Sequence, residues 1–229
     1  MNERYSGPAF LFDLDGTLVD SVYQHVLAWR EALEDAGIEL AVWRIHRRIG
    51  MSGGLLANAI LAETGHRVDA KEAARLQRVH AEAYARQVAH VRVLPGAREL
   101  LAHLTRIGVP WAIATSGRME SAGPTLKILG VSPEVPVVTR DQVERAKPDP
   151  DLFLAAAKLL GVNVADAFVV GDSVWDLLAA RRARALGIGL LSGGYGQDEL
   201  ERAGAYRVYQ DPSDMLQHLD ELGVRMTTG

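Results

Sequence analysis

The chain contains no cysteine, which excludes disulfides, thiolate metal sites and a cysteine nucleophile. It also lacks an excess of basic residues. The formal net charge is −4 over 229 residues, so nothing supports the basic surface that binds nucleic acid or anionic membranes. No apolar run approaches the roughly 18 residues of a membrane-spanning helix, and the opening "MNERYSGPAF" is too polar for a secretory signal. Neither an internal repeat nor a low-complexity segment is present. No Gly-x-Gly-x-x-Gly opens a helix, and "GGYG" at Gly193–Gly196 reads as a permissive loop, so a dinucleotide-binding reading is weak. The expectation is a soluble, cytoplasmic protein, a monomer or small homo-oligomer, with no nucleic-acid or membrane partner.

What is present is an ordinary globular composition, 48% apolar and 24% charged, long enough for one sizeable core and borderline for a second small domain. Residues 8–13 read as a short buried strand. From about Asp20 to His90 the pattern is almost wholly helical. "DSVYQHVLAWREALEDAG" places Val22, Val26, Trp29 and Leu33 on one helical face, and two further helices follow in "GGLLANAILAETG" and "DAKEAARLQRVHAEAYARQVAH". No strand is expected in this stretch. After Val91, strands such as "VPWAIAT", "VPVVT", "AFVVGD" and "AYRVYQ" alternate with helices, which predicts βαβ units and a parallel sheet covered on both faces. The fold class is therefore α/β, a Rossmann-like parallel sheet interrupted by an all-helical insert. The expected division is a core of 1–20 and 91–229 and a helical domain of 21–90, hinged near Val19–Val22 and Arg92–Pro95.

Ligands bind at the carboxyl ends of strands in open parallel sheets, so the strand ends are informative. The first ends in Asp13-Leu14-Asp15-Gly16, another in Thr115-Ser116-Gly117, a third in Asp172, with Asp176 one helical turn later and Lys147 between them in sequence. Asp13 and Asp15 point to the same side of an extended chain and would repel each other. With Asp172 they form an oxygen-rich cluster suited to hard Mg²⁺, whose charge would offset that repulsion. Acids, a divalent cation, a lysine, a hydroxyl and glycine-exposed backbone N–H groups describe phosphoryl transfer, with a carboxylate as nucleophile. More modest readings stand beside this one. Thr115 and Ser116, or Asp172, would serve as helix N-caps, "RRAR" at Arg181–Arg184 would be a solvated helix face, and Trp29 and Trp43 would be core residues.

"DLDGT", "ATSG", "KPDPDLF" and "VVGDSVWD", in this order, resemble the four motifs of the haloacid dehalogenase superfamily, in the branch of phosphoglycolate phosphatases and β-phosphoglucomutases that carry a helical cap after the first motif. The resemblance implies a Mg²⁺-dependent phosphatase acting on a small phosphorylated metabolite, phosphoglycolate-like or a sugar phosphate, through an aspartyl phosphate. It implies Asp13 as nucleophile and Asp15 as general acid and base. Thr115 and Lys147 would hold the phosphoryl oxygens, helped by the backbone of Leu14, Asp15 and Ser116. The metal would be held by Asp13, the Asp15 carbonyl and Asp172, with Asp176 just outside these ligands or on a second side of the metal. His25, Ser52 and Gly53 are the candidate specificity positions on the cap, and His25 is equally readable as a packed or solvent-facing histidine. The presence of Asp15 disfavours carbon–halogen cleavage. The alternatives are a phosphosugar mutase and a catalytically idle phosphate-binding relative. The mutases carry an arginine where Gly53 stands and a lysine that ungapped matching on Tyr84 places at His80. Arg47, Arg48 or Arg118 would then have to supply the missing charge.

Overall fold

A computed structural model describes residues 7–66 and 69–224. In chain order its elements are β1 (Ala9–Phe12), β2 (Val19–Asp20), α1 (Val22–Asp35), α2 (Val42–His46), α3 (Gly53–Glu63), α4 (Ala70–Gln87), β3 (Arg92–Val93), α5 (Ala97–Arg106), β4 (Trp111–Ala114), α6 (Met119–Leu129), β5 (Val137–Val138), α7 (Asp151–Leu160), β6 (Ala167–Gly171), α8 (Val174–Ala183), β7 (Leu186–Leu190), α9 (Gln197–Ala203), β8 (Ala205–Tyr209) and α10 (Pro212–Gln217).

The main sheet has the order β5-β4-β1-β6-β7-β8, and its pairings are all parallel. β1 is wholly buried because both of its faces are covered. Phe10 and Phe12 join one apolar cluster with Leu100 and Leu104 of α5 and Met215 of α10. Ala9 and Leu11, one residue out of phase, join the opposite cluster with Phe153 of α7 and Ala180 of α8. That double burial is why the strand reads as an unbroken apolar run. The chain leaves β1 toward β4 and β5 on one side and later returns to β6, β7 and β8 on the other. β1 therefore sits at the reversal of strand order, where open α/β sheets bind ligands.

Helices α1 to α4 share a third cluster built from Val22, Val26, Trp29, Leu33, Ile45, Leu56, Ile60 and Leu76. The spacing of the α1 residues in that cluster is the one the sequence displays. Asp69 caps α4, its carboxylate accepting from Lys71 N–H at 2.8 Å. The two segments that enter and leave this helical layer pair with each other, Val19 opposite Val93 and Asp20 opposite Arg92, as the antiparallel ribbon β2–β3.

Several local expectations are corrected. The ribbon was not expected, because two-residue strands carry no periodic signal. α2 was not expected either. α6 is hidden by Pro124 within it, and its first turn is stabilised from a distance, with Met119 N–H donating to Asp141 at 2.9 Å. The C-terminal stretch "SDMLQHLDELG" is not one continuous helix but α10 followed by a 3-10 turn at Leu219–Leu222. Trp29 is core, but Trp43 is 66% exposed. Arg182 of "RRAR" is more than a solvated face, since it donates to the Pro148 carbonyl at 2.9 Å and so ties down the loop that carries Lys147. Among the described residues no helix is long and apolar enough to cross a membrane.

Candidate active site

The parallel register aligns Phe12 with Ile113 on one neighbour and Val170 on the other, so the strand ends that follow converge. Asp13 N–H donates to Val170 O at 2.8 Å, and Thr115 N–H to Val138 O at 2.9 Å. These bonds hold the first residues past β1 and β4 in extended geometry. Beyond Asp13 the chain turns back on itself, with Leu14 O accepting from Leu18 N–H at 2.9 Å. Gly16 makes that turn with φ of +82°, and a Cβ there would meet an Asp172 carboxylate oxygen at 2.5 Å. Both facts require glycine in "DLDGT".

Asp13, Asp172 and Asp176 are all buried, and one carboxylate oxygen of each lies within 4.8 Å of the others. Lys147, fully buried, contacts Asp13 Oδ1 directly and stands 2.7 Å from Asp176 Oδ1. Its Nζ is also 5.1 Å from the centre of the Phe153 ring. Thr17 donates to Asp172 at 3.0 Å. Asp176 sits at the third position of α8, where its other oxygen accepts from Ser173 Oγ at 2.5 Å and Ser173 N–H at 3.2 Å. It caps the helix and joins the cluster at once, one oxygen for each task. Ser173, not Asp172, is the N-cap residue of α8, and α6 is preceded by Arg118 rather than by Thr115 or Ser116. The capping readings of Thr115, Ser116 and Asp172 therefore fail.

Three buried carboxylates share one ammonium, and the electrostatics follow from that shortage. Burial pushes Asp13 up to about 7. Lys147 opposes the rise, and Asp176 and Asp15 add to it. Burial likewise raises Asp172 well above the ordinary carboxylate range, with Asp176 and Asp13 contributing. Lys147 is disfavoured by its own burial, yet Asp13 and Asp176 more than compensate and hold it protonated. Such a donor set fits a hard divalent cation: all-oxygen, buried, and unable to ionise fully beside one lysine. The fit extends to the loop after β7. Ser192 donates to Gly16 O at 2.6 Å, and a Cβ on Gly193 would lie 1.8 Å from an Asp172 oxygen. The "GGYG" loop thus closes against the cluster, a role that its composition alone did not reveal.

Asp15 faces the other way. Its carboxylate accepts from Ser21 Oγ at 2.6 Å and lies 3.3 Å from His25 Nε2. Burial works against its charge, but His25 and Ser21 outweigh that and lower its pKa. His25 Nδ1 is 3.2 Å from His80 Nε2, and its ring stacks on Tyr84 with centroids 3.8 Å apart. His25 is thus packed on Tyr84 and His80 and at the same time in contact with Asp15. Ser116 Oγ donates to Gly50 O at 3.0 Å, joining the end of β4 to the "IGMSGG" loop. Thr115 Oγ1 accepts from Gly117 N–H at 3.0 Å. Ser52 is buried at the head of α3, and Gly53 lies beside Trp29 and Gln77. Arg47 pairs with Glu199, Arg48 with Glu63 and Arg118 with Asp141 at 2.9 Å. The structure thus gathers Asp13, Lys147, Asp172 and Asp176 into one cluster and turns the Asp15 side chain toward the helical layer. The sequence reading did not give Thr17, Ser21, Ser192 and Gly193 a part. Of these, Thr17 stands inside "DLDGT" and Gly193 inside "GGYG", while nothing marked Ser21 or Ser192.

The family model of haloacid dehalogenase-like hydrolases matches residues 8–184. The chain belongs to this family. The chain is similar to hexitol phosphatase A of Escherichia coli (strain K12), 37% identical over 177 residues, covering 76% of this chain and 78% of that protein. Phosphoglycolate phosphatase of Rhodospirillum rubrum is 33% identical over 210 residues, covering 89% and 87%. The crystal structure of a hydrolase from Pseudomonas syringae is 55% identical, superposes with a TM-score of 0.92 and covers 93% of this chain and 98% of that one. In this haloacid dehalogenase-like hydrolase the family match ends just past α8, so it includes every member of the Asp13–Lys147–Asp172–Asp176 cluster.

Proposed function

We propose that the protein is a phosphoric monoester hydrolase, a Mg²⁺-dependent phosphatase acting on small phosphorylated metabolites. The observation that carries this reading is the fully buried Lys147, held between Asp13 and Asp176 at the switch point of the sheet. The phosphatase names of its relatives agree with it: hexitol, phosphoglycolate and N-acetylmuramic acid 6-phosphate phosphatases.

Asp13 attacks phosphorus to give an aspartyl phosphate as the ester oxygen leaves. Asp15, on the leaving side, is ionised in the free protein; it takes up a proton as the ester binds and passes it to that oxygen. Deprotonated Asp15 then takes a proton from water, which attacks the same phosphorus, releases inorganic phosphate and regenerates Asp13. Lys147 and Thr115, with the backbone of Leu14, Asp15 and Ser116, hold the phosphoryl oxygens. Lys147 also lets two anions, Asp13 and the phosphate, approach each other. Asp13, Asp172 and the Asp15 carbonyl, with Asp176 beside them, would hold Mg²⁺, which would supply charge neutralisation at the transferring phosphoryl group. Residues 21–90 act as a cap on a core of 1–20 and 91–229, excluding water through the His25–Asp15 and Ser116–Gly50 contacts. Hydrolysis is favoured over the mutase reading because Arg47, Arg48 and Arg118 are already paired. The idle-relative reading is disfavoured because no acid or lysine of the set is missing.

Phosphate release should stop with EDTA and return with Mg²⁺ on a panel of small phosphate esters; turnover indifferent to chelation would refute the metal assignment. A second result is expected from stability. Asp13 has a folded pKa of about 7 against an ordinary 3.8, so the metal-free fold binds more protons than the unfolded chain between those values. That contribution to stability is full below about pH 3.8 and is lost as pH rises through 7. Mg²⁺ should therefore raise Tm more at pH 8 than at pH 5, by about 2–4 °C for each kcal/mol recovered. Thermal melts with and without Mg²⁺ check this, and an equal shift at both values would count against it.

A further inference from the structure

The contacts that flank Asp15 and Thr115 form a continuous rim. From Asp15 the line runs to His25 and from His25 to His80, at 3.3 and 3.2 Å. His80 stacks on Trp29 with centroids 4.3 Å apart. A Cβ at Gly53 would lie 3.4 Å from both Trp29 and Gln77. Gly50, three residues earlier on the same loop, returns the line to Ser116 and so to Thr115. Because the proposed function places the leaving oxygen next to Asp15, the alcohol half of the ester must lie against this rim.

The rim offers imidazole, amide and hydroxyl groups. His80 keeps some exposed surface but is packed about by protein atoms, and burial, followed by the nearby His25, holds it well below the ordinary imidazole range. The arginines of the helical layer and Arg118 are ion-paired. Arg47 is on Glu199, Arg44 and Arg48 share Glu63 and Arg118 is on Asp141. The other described arginines between residues 21 and 90 are likewise ion-paired. Lys71 is exposed at the start of α4, on the order of 9 Å along the helix axis from Gln77. Asp15 stands on the rim itself, and the carboxylates of Asp13, Asp172 and Asp176 stand together on the far side. A leaving group bearing its own negative charge would meet acids, while every described arginine of residues 21–90, and Arg118, already has a carboxylate partner, and an unpaired charge out of water is costly.

We infer that the alcohol released is an uncharged polyhydroxy compound, so that sugar or polyol monophosphates are preferred over esters whose alcohol carries a carboxylate or a second phosphate. This rests on the phosphatase reading above. The test is kcat/KM, with saturating Mg²⁺, for glucitol 6-phosphate, 2-phosphoglycolate, fructose 1,6-bisphosphate and p-nitrophenyl phosphate. The polyol ester should exceed both anionic esters by at least about tenfold, about 1.4 kcal/mol. A smaller ratio, or the reverse, overturns the inference. Hydrolysis of p-nitrophenyl phosphate or 2-phosphoglycolate without the polyol ester overturns the inference and leaves the phosphatase reading standing. No hydrolysis of any ester overturns both. Gly53→Arg should move the ratio toward 2-phosphoglycolate by about tenfold, and an unmoved ratio counts against the rim. If that variant loses p-nitrophenyl phosphate turnover, Gln77→Lys, next to the same position, replaces it under the same criterion.

Discussion

Asp13→Asn should reduce kcat by about 10⁴-fold or more while the protein remains folded. The amide oxygen is a poor nucleophile, so no covalent intermediate forms, yet the side chain keeps its shape in a close-packed setting. The substitution also removes one of three buried carboxylates that share a single ammonium. The metal-free variant should therefore melt no lower than the wild type at pH 8, where the deleted charge is most unfavourable. Single-turnover assays with phosphate detection and a thermal melt check both halves. Activity within about tenfold of wild type would remove Asp13 from the nucleophile role, and a collapsed melt would make its role structural.

Lys147→Met should damage both activity and fold. A buried ion pair adds little net stability compared with an apolar replacement of the whole set, but removing one partner leaves uncompensated charge. Here Asp13 and Asp176 would lose their only ammonium. The expected destabilisation is about 3–5 kcal/mol at pH 8, and less at pH 5, where Asp13 is already largely protonated by its pKa of about 7. Turnover should fall by about 10³-fold. Adding Asp176→Asn in the same chain should recover part of the stability but none of the activity, because it relieves repulsion without restoring a cation at the phosphoryl site. Urea unfolding of the single and double variants measures the coupling. A Lys147→Met protein as stable as wild type at pH 8 would show that the buried charges are not energetically linked.

Much of this was readable from residues alone, for reasons that can be stated. Asp13, Thr115 and Asp172 follow strands whose apolar runs are unmistakable, and the rule that ligands gather at carboxyl ends needs nothing further. The helical layer was readable because α1 repeats Val22, Val26, Trp29 and Leu33 on one face. What the sequence hid was non-local. Nothing in the neighbourhood of Lys147 announces that it is buried; its partner Asp13 lies 134 positions away. Asp176 carries a local capping signal that masks its second task. Ser192 and Gly193 belong to the site only because β7 delivers their loop beside β1 and β6. Trp43 was assigned to the core by residue type, yet the short helix α2 turns it to solvent. α6 begins without a side-chain cap of its own, borrowing Asp141 from beyond β5.

The β2–β3 ribbon bears on how the helical layer can move. Two independent linkers would allow swinging, twisting and sliding. Here the outgoing and returning strands are tied at Val19–Val93 and Asp20–Arg92, and Leu94 N–H donates to Leu18 O at 3.1 Å. Both tethers must bend together, as one flexure. The pivot begins four residues past Asp15, so the displacement available to His25, near the start of α1, is short compared with that at the far end of the layer. Asp15, the proposed acid, is thus next to the axle, where a rotation changes angles more than distances.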